Sequence, residues 1–263
     1  MILSLMAKHF FKYHGAGNDF ILIDNREGEF HSTDAVAIRN LCAYHTGIGA
    51  DGLILLNGHS DFPFEMKYFN ADGAEGTLCG NGSRCAVLFA KHLGMIVDET
   101  TFLANDGSHK AWINNSEITV DIRPVEIGKP LLGGIWIHTG SPHLVVMVDN
   151  LDQFNVSSNG LALRSHDELS PEGANINFVE QLGDERFAVR TFERGVERET
   201  LSCGTGAVAV ALAMHQTNRS DKTHLKIVMK GGTLDVEFIA TSNGFEKIKL
   251  TGPACFVFKG EWS

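Results

Sequence analysis

At 263 residues, with 43% hydrophobic and 21% charged residues and a formal net charge of −10, the chain reads as a soluble globular protein, one large domain or two of about 125 residues each. The acidic balance and the lack of any Lys/Arg-rich stretch argue against a nucleic-acid partner. No apolar run reaches the ~18 residues a membrane helix needs, and the start MILSLMAKHFF lacks the basic leader and cleavage site of a secretory signal, so a cytoplasmic protein with no membrane partner is expected.

In chain order, the first clear element is FILID (20–24), a continuous apolar run behind the turn formers HGAGND, which suits a buried strand. FNADG (69–73) is a turn. LCGNGSRC (78–85) then opens a helix predicted from about Gly82 to His92 and closed by Gly94. KAWINNSEITVDI (110–122) reads as strands around a turn, and LVVMV (144–148) as a second buried strand. LSCGTGAV (201–208) opens a second helix, from about Gly206 to Gln216, that is too apolar all round for a surface position. In TLDVEFIATSNGFEKIKL (233–250), Asn243-Gly244 marks a hairpin.

Two of these blocks recur. YHGAGNDFILIDN (13–25) lies on HTGSPHLVVMVDN (138–150) at an offset of 125, matching Gly15 with Gly140 and Asp24 with Asp149. FNADGAEGTLCGNG (69–82) lies on FERGVERETLSCGTG (192–206), with Cys79 matching Cys203 at an offset of 124. Order and spacing are both kept, which is the signature of an internal repeat. The expected fold is α+β, with two pseudo-symmetric halves. Each is a curved, mostly antiparallel sheet or barrel wrapped around a central helix, and the active site lies in the cleft between them. Residues 1–124 form the half with the Cys79 motif and 125–252 the half with the Cys203 motif, and the segment 253–263 is expected to join the N-terminal half.

The five cysteines, Cys42, Cys79, Cys85, Cys203 and Cys255, are odd in number and scattered, which points to free thiols and not to a disulfide framework. No C-x-x-C spacing suggests a metal, and none is expected. Cys42, Cys85 and Cys255 are read as packing residues. Cys79 and Cys203 each precede Gly-X-Gly at a helix start, where free N–H groups bind anions and are expected to lower a thiol pKa. Two such starts facing one small ligand could grip its carboxylate while one thiolate removes an α-proton and the other thiol returns one to the opposite face. That inverts a stereocentre. A redox pair and a silent amino-acid-binding protein are the rival uses of the same thiols.

HGAGNDFILID, FNADGAEGTLCGNGSRC, TGSPH, NINF and ERGVERETLSCGTGA together resemble the diaminopimelate epimerases, over about residues 9 to 254. The resemblance implies an isomerase of lysine and peptidoglycan precursor synthesis that interconverts LL- and meso-diaminopimelate with no cofactor, pyridoxal phosphate included. The alternative is a racemase of another amino acid on the same scaffold. It further implies Cys79 and Cys203 as the acid/base pair, with His143 and Glu193 as auxiliary groups that set their protonation and hold the ammonium. Gly80, Asn81, Gly204 and Thr205 would supply amides to the reacting carboxylate. Asn18, Asn70, Asn175 and Arg194 would bind the substrate, Arg194 gripping the distal carboxylate bidentately. Ser141 stands where an asparagine is common and Gly52 where some members have glutamine, and Ser141 keeps a hydroxyl for the substrate. A homodimer is left open.

Overall fold

The computed structural model describes residues 8–31, 34–76 and 78–262; the apolar start Met1–Ala7 and Thr77 of the first cysteine motif lie outside them. In the N-terminal half β1 (Lys8–Gly15) and β2 (Asn18–Asp24) form a hairpin, and α1 (Ala35–Cys42) crosses to β3 (Gly52–Asn57), which lies parallel to β2. Next, β4 (Glu65–Asn70) returns antiparallel to β3, and α2 (Gly80–His92) crosses to β5 (Glu99–Ala104), parallel to β4. A meander of β6 (Gly107–Asn114) and β7 (Glu117–Ile122) completes the half. Two short strands, β8 (Val125–Glu126) and β9 (Lys129–Leu131), lead out of it.

The same path is then walked again. The hairpin of β10 (Gly134–His138) and β11 (Pro142–Met147) is followed by α3 (Val156–Arg164), and β12 (Asn175–Gly183) lies parallel to β11. Antiparallel β13 (Arg186–Glu193), a short β14 (Arg198–Thr200), α4 (Gly204–Gln216) and β15 (His224–Met229), parallel to β13, follow. A meander of β16 (Gly232–Ala240) and β17 (Gly244–Pro253) closes the second half. The fold is therefore α+β with two-domain pseudo-symmetry. β7 and β17 pair antiparallel, Ile122 opposite Ile248, and stitch the halves together; β18 (Cys255–Trp262) pairs with β1. No helix among the described residues is long and apolar enough to cross a membrane.

Why the strands read as unbroken apolar runs is visible in the two faces of each sheet. On β2, Phe20 and Leu22 join the core around the central helices, while Ile21 and Ile23 join a second cluster with Ile38 of α1. Leu53 and Leu55 of β3 face that outer cluster, and Ile54 and Leu56 face inward. The second half does the same, with Leu144, Ile176 and Phe178 outside and Val145 and Val179 inside. A period-2 strand buried on both faces shows no alternation. Among the described residues each half carries two α-helices where the sequence showed one. The extra pair, α1 and α3, are short and end-capped by side chains: Asp34 Oδ1 accepts from Ala37 N at 2.8 Å and Asn155 Oδ1 from Ser158 N at 3.0 Å.

The central helices differ from expectation at their starts. Both begin two residues early, at Gly80 and Gly204, with Cys79 and Cys203 themselves as the N-cap residues. Cys79 Sγ accepts from Gly82 N at 3.3 Å, the bond a serine would make at that position. The two starts then meet backbone to backbone. A Cβ built on Gly204 would stand 3.1 Å from Gly80 Cα and 3.1 Å from Asn81 N. Main-chain atoms cannot swing aside as a side-chain tip can, so Gly204→Ala is expected to lower stability by about 1–3 kcal/mol through overpacking. Thermal denaturation checks this, and an unchanged Tm would contradict the close approach.

Candidate active site

Where α2 and α4 meet, a cavity of about 160 Å³ opens between the halves. It has room for one amino-acid-sized molecule. Cys79, Cys203, Asn18, Asn70, Gly80, Asn81, Ser141, Asn175, Glu193, Arg194, Gly204 and Thr205 all line it. Of the catalytic and substrate-binding residues expected from the sequence, His143 is the one outside the wall, fully buried one layer behind Thr205, and Gly52 is outside the wall too.

Each wall residue is held by a neighbour. Asn18 Nδ2 donates to Asp51 Oδ2 at 2.8 Å, which turns Asn18 Oδ1 toward Asn81 Nδ2 at 3.2 Å and Cys79 Sγ at 4.0 Å. Asn81 Nδ2 also reaches Ser202 O at 3.2 Å, so this one amide ties the α2 start to the strand end that precedes α4. Beneath it Arg84, fully buried, donates to Asn81 Oδ1 at 2.7 Å and to Gly80 O at 3.1 Å. Burial lowers its pKa only to about 10, so a cation stands under the helix starts. Arg194 N donates to Asn175 Oδ1 at 2.9 Å, and its Nη1 to Glu172 O at 3.2 Å.

Behind Cys203 runs a chain of hydrogen bonds. Asn177 Nδ2 lies 3.3 Å from Leu144 O and 3.4 Å from Asn175 O, so that atom is the amide nitrogen, and it donates to His143 Nδ1 at 3.1 Å. With Nδ1 accepting from Asn177, the ring proton of His143 is assigned to Nε2, which lies 3.0 Å from Thr205 Oγ1 and 3.5 Å from Asn175 Nδ2, and Thr205 Oγ1 is 3.6 Å from Cys203 Sγ. Burial, with smaller contributions from His138 and Arg194, lowers the His143 pKa to about 3. The imidazole is neutral and orients Thr205.

The thiols depart from expectation. Burial pushes Cys79 up to about 12, against the pull of the Gly82 amide, and raises Cys203 as well, with Glu193 adding to both. The helix-start amides do favour the thiolates, but desolvation is the larger effect. Glu193, held by Thr200 Oγ1 at 2.8 Å, is raised by burial to about 7. Tyr68, Glu75, Gly76 and Leu78 also line the cavity, and Asn177 and Asp51 support it. None was singled out from the sequence. Two had a signal there: Tyr68 stands two residues before Asn70 and Asn177 two after Asn175, the spacing that puts strand residues on one face.

Comparison with known proteins is decisive at this point. The family model for diaminopimelate epimerase matches residues 10–127 and 135–257, one segment on each half of the fold. The chain belongs to the diaminopimelate epimerase family. It is an isomerase. The diaminopimelate epimerase of Flavobacterium psychrophilum is 46% identical over 250 residues, covering 95% of this chain and 98% of that protein. That of Chlorobaculum tepidum is 43% identical over 256 residues, covering 94% and 98%. Among solved structures, a phenazine biosynthesis protein of the PhzF family from Bacillus anthracis superposes with a TM-score of 0.75 at 16% identity, over 98% of this chain and all of that one. At that identity the likeness is one of fold alone.

A carboxyl raised from 4.5 to about 7 is held protonated more tightly in the folded than in the unfolded chain. Stability from this group is thus lost as pH rises from about 4.5 through 7, and above 7 the buried carboxylate costs of the order of 3 kcal/mol. Glu193→Gln is expected to be more stable than the wild type by about that amount at pH 8 and equal to it at pH 4. Denaturant unfolding at the two pH values checks the sign.

Proposed function

We propose that this enzyme interconverts LL- and meso-2,6-diaminopimelate without pyridoxal phosphate, by a two-base reaction between Cys79 and Cys203, and so serves lysine and peptidoglycan precursor synthesis in the cytoplasm. The observation that carries the reading is the junction of two cysteine-capped helix starts in one wall of one small cavity. Gly80, Asn81, Gly204 and Thr205 line the cavity at these helix starts, and their backbone amides would hold the carboxylate at the reacting end.

With the carboxylate so held, one cysteine thiolate takes the α-proton. The C–H electron pair moves into the carboxylate as an enediolate, and the second thiol gives its proton to the opposite face of the carbon. The inverted product leaves with the proton exchanged between the two sulfurs. Fixed amide dipoles and the buried Arg84 charge stabilise the enediolate more than the ground state, because the second negative charge exists only there. Burial raises both thiols, so one of them must give up its proton to solvent as the substrate enters before it can act as base. The substrate's α-ammonium, entering beside Glu193, brings the positive charge that favours a thiolate. At the distal end Arg194, which lines the cavity with Asn70, Asn175 and Ser141, would offer its guanidinium to the second carboxylate. Division of the chain near residue 125, with 253–263 returning to the first half, is supported by the β1–β18 pairing and sets the two cysteines on different halves.

Reduced wild-type protein with LL-diaminopimelate and no added cofactor is expected to form the meso isomer, followed by NMR. Cys79→Ser and Cys203→Ser are each expected to lower kcat by orders of magnitude with the melting temperature little changed, since a hydroxyl is a far weaker acid and base than a thiol. Near-normal turnover in either variant would contradict the two-base assignment. Turnover of another amino acid in place of diaminopimelate would favour the racemase reading.

A further inference from the structure

Tyr68 is the one aromatic side chain in the described cavity wall, and it stands between two glycines. A Cβ built on Gly76 would lie 2.5 Å from Tyr68 Cδ1 and 2.6 Å from Cε1, and one built on Gly52 would lie 2.6 Å from Cε2. Neither glycine has a positive φ, so backbone freedom is not what requires them. Space is: for the ring at Gly76, and at Gly52 for the ring together with the Phe69 carbonyl oxygen, which would lie 2.6 Å from the added Cβ. Both are tied to the same strand: Gly76 N donates to Tyr68 O at 2.9 Å, and Gly52 pairs with Asn70 in the β3–β4 ladder. The ring edge-packs on Phe20 at 6.0 Å, which fixes its third side.

The hydroxyl of this fixed ring donates to Asn70 Oδ1 at 2.8 Å. Among the described residues Asn70 Nδ2 has no partner, although Asn70 lines the cavity. An amide whose oxygen is engaged can present only its N–H groups to a ligand, and an amide without that bond can turn over and present oxygen to a carboxylate. We propose that Tyr68 is a positioning residue for substrate binding: it locks the Asn70 amide with Nδ2 as donor to a diaminopimelate carboxylate, and Gly52 and Gly76 are the space that holds the ring where it can do so. The inference rests on the substrate assigned above. Burial, with Cys79 and Glu193 nearby, raises the Tyr68 pKa well above its usual value, so the hydroxyl remains a donor throughout the neutral range. Gly52, a departure from the family pattern, and Tyr68 are on this view one structural feature.

The test is steady-state kinetics of four variants against the wild type. Tyr68→Phe keeps the ring and removes the donor; KM for diaminopimelate is expected to rise about tenfold, and kcat to stay within about twofold, because a contact equal in ground and transition states affects binding alone. Gly76→Ala is expected to raise KM at least as much by displacing the ring. In a Tyr68→Ala background the same Gly76→Ala change is expected to add nothing, since no ring is left to displace. Thermal melts confirm that each variant is folded. An unchanged KM in Tyr68→Phe, or a loss confined to kcat, would overturn the assignment while leaving the reaction intact. Additive effects of Gly76→Ala and Tyr68→Ala would overturn the role given to the glycine. Absence of turnover in the wild type would overturn the substrate assignment, and this inference with it.

Discussion

Two helix N-termini pressed together at Gly80 and Gly204 are the constraint on which the rest of the molecule depends. Each carries roughly half a positive charge from its aligned peptide dipoles. Bringing two together beside the buried Arg84 guanidinium concentrates positive potential in one place with little water to screen it. Such a contact is unfavourable by itself, and the repeated fold supplies what holds it. The apolar faces of α2 and α4 are buried in one common core, β7 and β17 join the sheets, and Asn81 bridges to Ser202. An anion between the helix starts completes the balance, which is why the ligand chemistry can be read from the backbone.

Dryness governs the ionisable groups. Burial raises both thiols, moves Glu193 to about 7 and keeps His143 neutral, so these groups bring few full charges to the cavity. The same low dielectric that opposes a thiolate in the absence of ligand strengthens every interaction once a zwitterionic substrate has replaced the water. His143 fits this pattern. Being neutral and fixed by Asn177, it contributes direction and not charge, aiming the Thr205 hydroxyl at Cys203.

Much of this was legible in the amino-acid order. The recurrence of Cys-Gly-X-Gly at one offset announced both the pseudo-symmetry and the paired thiols, since a turn that needs glycine and a helix that needs burial leave marks in any background. Other features left no such mark. Short α1 and α3 have too few residues for a periodic signal, and the direction of the thiol shifts depends on how completely the two halves cover the cysteines, a tertiary quantity. Gly52 stands out only against the glutamine of some relatives, and Gly76 not at all. What crowds them, the Tyr68 ring at both and the Phe69 carbonyl at Gly52, is set by strand pairing and packing that the amino-acid order does not display.

The fate of deuterium in the first turnovers tests the paired-thiol chemistry most directly. With LL-diaminopimelate in D2O, and the reaction stopped at low conversion, two bases on opposite faces predict meso product carrying solvent deuterium at the inverted carbon while the remaining LL substrate stays protonated, because the proton donated comes from a thiol already equilibrated with solvent. Substrate-derived hydrogen retained at the inverted carbon of the product would mean that a single group both removes and returns the proton, and would contradict the assignment of separate roles to Cys79 and Cys203.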